Sequence, residues 1–116
     1  MGPALKAELP KVTPQLHAAV ESTPLPNGMQ ITSLISGPHA KNSAHFAGRA
    51  VDVSLPHTAD AWRFIVAQIK SGKWKRIGST AAVANDPRLQ ALAKDNGVDL
   101  FLDEGTGSHV HLEVGP

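Results

Sequence analysis

Four side chains carry the chemistry open to this sequence. His45 and Asp52 stand in the run Ser43-Ala-His45-Phe-Ala-Gly48-Arg-Ala-Val-Asp52, and two imidazoles stand in His109-Val-His111 near the far end. Side chains two apart on an extended segment point the same way, so His109 and His111 project from one face. Imidazole nitrogen and carboxylate oxygen suit a zinc ion, and three such ligands with a fourth position left to water make a catalytic site rather than a structural one. The chain has no cysteine, which excludes both a thiolate site and a disulfide framework. His17, His39 and His57 fall on a helix, in a loop and ahead of a helix, where a solvated or capping side chain is the simpler reading.

The elements that must position this set can be read from period and punctuation. Gly48 to Leu55 alternates as a half-buried strand, with Val51 and Val53 on one face and Ala50, Asp52 and Ser54 on the other, so Asp52 is expected on the polar face of a cleft. Ser108 to Val114 alternates likewise, with His109, His111 and Glu113 opposite Val110, Leu112 and Val114. Val98 to Leu102 reads as a buried strand that forms a hairpin with it across the turn Asp103 to Gly107. Thr13-Pro14 and Asp86-Pro87 are N-cap and first-turn pairs that predict helices, the second with a buried stripe of Leu89, Leu92 and Ala93 closed by Gly97. Trp62, Ile65, Val66 and Ile69 predict a core-facing stripe on a helix from Thr58 to Ser71. Asn27-Gly28 predicts a tight turn into a strand from Met29 to Ile35, and Trp74 to Thr80 a further short strand.

These elements make a single α+β domain over residues 1–116, with residues 1–12 as an arm. Its small, mainly antiparallel sheet is expected to carry helices on one face and the zinc cleft on the other. A net charge of +1 and few aromatic residues exclude a basic stacking platform, and with it a nucleic-acid role. No run approaches the roughly 20 apolar residues of a membrane span, and proline and charge interrupt Met1 to Pro10 before any signal-peptide core forms. A monomer is the expected state.

The pattern Ser43-x-His45-x-x-Gly48-x-Ala50-x-Asp52, followed by His109-x-His111, resembles the zinc peptidases of the M15 family. These are the D-alanyl-D-alanine carboxypeptidases and L-alanyl-D-glutamate endopeptidases of peptidoglycan stem peptides, which share their metal centre with lysostaphin-type and murein endopeptidase enzymes. The resemblance runs from about Ile31 to Val114. It implies that His45, Asp52 and His111 hold Zn2+. Many members carry a glutamate three residues before the last ligand as catalytic base; Ser108 stands there in this chain. His109 then takes the role of base or transition-state stabiliser, in preference to Glu104 or Glu113. Ser43 is implied as a hydrogen-bonding partner of substrate or of a ligand.

Relatives also carry an arginine for the substrate carboxylate in the preceding strand, where this chain has Ser33-Leu-Ile-Ser-Gly37. Endopeptidase action is therefore favoured over carboxypeptidase action, with Lys41 or Arg49 as substitute cations. The expected function is hydrolysis of a stem-peptide bond in the bacterial cell wall or periplasm, as in a phage lysin or a virion-associated module. The alternative is an inactive zinc-containing module that binds wall peptide or a protein partner; a metal-free structural domain is a further rival.

Overall fold

The residues of His109–Glu113 alternate between imidazole or carboxylate and branched aliphatic side chains, and a strand with that pattern needs a core beneath it and tolerates polar neighbours above it. In this computed structural model, which describes residues 11–26, 28–33, 48–56, 59–103 and 109–115, that strand is central. The strands are β1 (Ile31–Ser33), β2 (Ala50–Ser54), β3 (Arg76–Ser79), β4 (Asp99–Leu102) and β5 (His109–Glu113). They form one sheet in the order β1-β2-β5-β3-β4, antiparallel except for the β3–β4 pair. The described helices are α1 (Pro14–Glu21), α2 (Ala59–Lys70), α3 (Ala81–Ala84) and α4 (Pro87–Asp95). The fold is α+β in one unit, as expected.

One face of the sheet is apolar. Val51, Val53, Ile77, Leu100, Val110, Leu112 and Val114 pack there against Leu16, Phe64, Ile65, Ile69, Leu89 and Ala93 of the helices. Burying each such Val, Leu or Ile contributes about 1.5–3 kcal/mol, so this face dictates which way every strand must turn. The caps are those the sequence announces. Thr13 Oγ1 accepts from Leu16 N–H, and Asp86 accepts from Arg88 and Leu89 N–H while Arg88 holds its carboxyl below the usual carboxylate range.

Several expectations need correction. The stripe on α2 is centred on Ala61, Phe64, Ile65, Gln68 and Ile69, with Trp62 and Val66 half-buried at its flank, because Trp74 packs beside Gln68 and draws that side of the helix inward. β4 is an edge strand: Asp99 and Leu102 are exposed and only Leu100 is buried, which leaves the apolar run half out of the core. β4 and β5 do not form a hairpin, since β3 lies between them. Short α3, unforeseen in the sequence, carries the chain away from β3 toward α4. Val12 is a core residue, so the expected arm ends before it; residues 1–10 lie outside the described residues. Among the described residues no helix is long and apolar enough to cross a membrane.

Trp74 Nε1–H donates to Gln68 Oε1 at 2.8 Å, and both side chains are buried. Trp74→Phe keeps an aromatic body but leaves that amide oxygen unsatisfied. It should lower unfolding free energy by about 1–3 kcal/mol in urea titrations, with the slope against urea unchanged.

Candidate metal centre

The β2–β5 ladder puts Asp52 directly opposite His111 and Ser54 opposite His109. β3 adds Gly78 opposite His111 and Arg76 opposite Glu113, and β4 adds Phe101 opposite Gly78 and Asp99 opposite Arg76. The row Asp52, His111, Gly78, Phe101 therefore crosses four strands on the polar face. Two positions along, Asp103 continues β4, with its N–H donating to Ser79 O at 2.8 Å.

Two imidazole–carboxylate contacts result. His111 Nδ1 lies 3.2 Å from Asp52 Oδ1, and His109 Nε2 lies 3.0 Å from Asp103 Oδ2. The four side chains are 10–31% exposed, which removes them from most of the solvent screening that weakens surface pairs. Donor atoms of Asp52, Asp103 and His109 also lie within 4.8 Å of one another, a group that could hold a metal ion. Adjacent ligands of a tetrahedral zinc ion, at roughly 2.0–2.1 Å from the metal, are about 3.3 Å apart. The spacing of His111 and Asp52 matches such an edge. Asp52 belongs to both donor groupings, and a nitrogen-and-oxygen donor set of this kind suits several divalent metals, zinc among them.

Around this set stands a supporting wall. The Phe101 ring meets the His111 ring edge-on, with centroids 5.7 Å apart and an interplanar angle of 71°. The Arg76 guanidinium sits 4.3 Å from the Phe101 centroid and donates to Asp99 and Glu113, each at 3.1 Å. Partial burial works against its charge, but the bonds and field of these carboxylates outweigh it and raise the Arg76 pKa. Gly78 makes the wall possible: a Cβ there would stand 2.5 Å from Phe101 Cζ and 3.1 Å from Asp103 Cβ.

Of the residues singled out in the sequence, Asp52, His109 and His111 share one face. His45 and Ser43 lie outside the described residues, as do Lys41, Glu104 and Ser108. Arg49 lies just before β2, where its carbonyl accepts from Val114 N–H as an extension of the ladder. Glu113 is buried and committed to Arg76, which removes it as a base. The motif glycine has a backbone reason: Gly48 has φ +72°, and a Cβ would stand 3.0 Å from Val12 Cα where Thr13 N–H donates to Gly48 O. Asp103, Phe101, Gly78 and Arg76 escaped the sequence reading. The alternation Asp99, Phe101, Asp103 puts these side chains on one face but does not say which strands flank them.

The chain matches no family model, no curated protein and no solved structure.

Gly78→Ala should force Phe101 off the glycine and disturb His111. We expect a stability loss of about 1–3 kcal/mol by thermal or urea unfolding. In protein loaded with a divalent metal, weaker metal retention in competition with a chelator should accompany it, whereas an equally destabilising change at Trp74 should leave that affinity untouched.

Proposed function

We propose that the chain is a zinc-dependent peptidase that hydrolyses a peptide bond in peptidoglycan stem peptides, acting as an endopeptidase. The observation that carries this reading is the meeting of Asp52 and His111, from β2 and β5, at 3.2 Å beside a second imidazole two positions away. The wall-peptide substrate rests on the likeness of Ser43 to Asp52 and His109-x-His111 to the M15 pattern.

Asp52 and His111, with His45, would hold the ion. Bound zinc supplies a water whose pKa falls to about 7 and polarisation of the scissile carbonyl. His109, beside that pair, takes the proton of the attacking water and returns it to the leaving amine. An imidazole can both take up and return a proton, and here it stands in for the glutamate that Ser108 replaces. Endopeptidase action is supported by the cations. Arg76, whose row lies beside Asp52 and His111 on this face, already holds Asp99 and Glu113. A free substrate carboxylate thus finds no arginine ready for it there.

Zinc-loaded protein incubated with purified peptidoglycan should release fragments with new peptide termini identifiable by mass. His109→Ala should keep its zinc and lose about a hundred- to ten-thousand-fold in turnover, whereas Asp52→Ala and His111→Ala should lose the metal. Intact wall material across several stem-peptide chemotypes, with zinc bound, would overturn hydrolysis and favour a wall-peptide binding module. Absence of zinc binding would leave a structural domain.

A further inference from the structure

We infer that Asp103 is the positioning residue of His109, holding its Nε2–H and so fixing one orientation and one tautomer of the ring. The inference rests on the peptidase reading and adds to it a residue outside the motif.

Asp103 Oδ2 stands 3.0 Å from His109 Nε2. An ionised carboxylate only accepts, so the hydrogen lies on Nε2, and in the neutral ring the lone pair is then on Nδ1. The contact is built into the sheet. β3 ends at Ser79, which pairs with Leu102 on one side and Val110 on the other. The chain then turns through Thr80 into α3 and vacates the place between the next residues of the two flanking strands. Those residues are Asp103 and His109, and their side chains meet across the vacated place.

Ser79 fastens both from below. Its carbonyl accepts from Asp103 N–H and its hydroxyl donates to His109 O, each at 2.8 Å, and it is fully buried. Gly78, next along β3, leaves room for Asp103 Cβ. A pair whose two backbones are tied to one buried serine loses little further freedom in forming, unlike a surface ion pair of flexible side chains. His109 is thus delivered in one orientation and one tautomer, as an orienting carboxylate delivers a catalytic histidine elsewhere in acid–base chemistry.

The test combines imidazole nitrogen NMR of histidine-labelled, zinc-loaded protein with steady-state hydrolysis of a stem peptide. His109→Ala identifies the His109 resonances. The wild type should show His109 with its hydrogen on Nε2, and Asp103→Ala should release that preference. The same variant should lose about ten- to a hundredfold in kcat with KM, zinc content and melting temperature held. A hydrogen on Nδ1 in the wild type, or a tautomer indifferent to Asp103→Ala, would overturn the inference. So would loss of zinc from Asp103→Ala, which would make Asp103 a metal ligand with Asp52 and His109. A wild type that cleaves no stem peptide defeats the peptidase reading, while the NMR measurement still decides whether Asp103 sets the His109 tautomer.

Discussion

The register between β2 and β5 is the constraint on which the rest depends. Asp52 faces His111 because Val51 and Val53 on one strand and Val110 and Leu112 on the other must all reach the same apolar face. A slip of one residue would send those aliphatic side chains to the polar face and the carboxylate and imidazole into the core. Each buried aliphatic residue contributes about 1.5–3 kcal/mol, so the slipped state lies far above the native one. The core thereby sets the geometry of side chains it does not touch.

The parts of the fold that were legible in the sequence are those that local physics decides. Thr13-Pro14 and Asp86-Pro87 start helices because a side-chain oxygen caps the first turn and proline needs no donor there. Val51 and Val53 against Asp52, and Val110 and Leu112 against His109 and His111, separate faces because the strand period is two. What the sequence could not reveal is which strands pair. Neighbours in sequence, β4 and β5, are by chain order the natural hairpin partners, yet β3 is inserted between them by a parallel crossover through α3 and α4. Crossovers are decided by packing of whole elements, not by any single residue type.

The same distinction explains the site. His45, Asp52, His109 and His111 could be singled out because residue type and spacing are properties of the chain itself. Asp103 could not, since its meaning comes from the end of β3, two strands removed from His109 in chain order. Nor could Gly78, whose role exists only because Phe101 and Asp103 lie over it from the adjoining strand. Residues that act through pairing become visible only when the pairing is known.

Charge on the polar face is partitioned by the same topology. Arg76 answers Asp99 and Glu113, so those carboxylates contribute little net field beyond their own row. Asp52 and Asp103 instead face the imidazoles of His111 and His109. Two unit charges 4 Å apart interact by about 4 kcal/mol at an effective dielectric constant near 20, so the placement of one guanidinium decides where a cation is welcome. On the row of Asp52, an arginine would have paired with the carboxylate that instead meets His111. One row away it stacks on Phe101, whose ring edge meets His111. Gly78 is what permits that ring to lie there, so a residue with no side chain keeps the guanidinium one row away from the imidazole–carboxylate pairs.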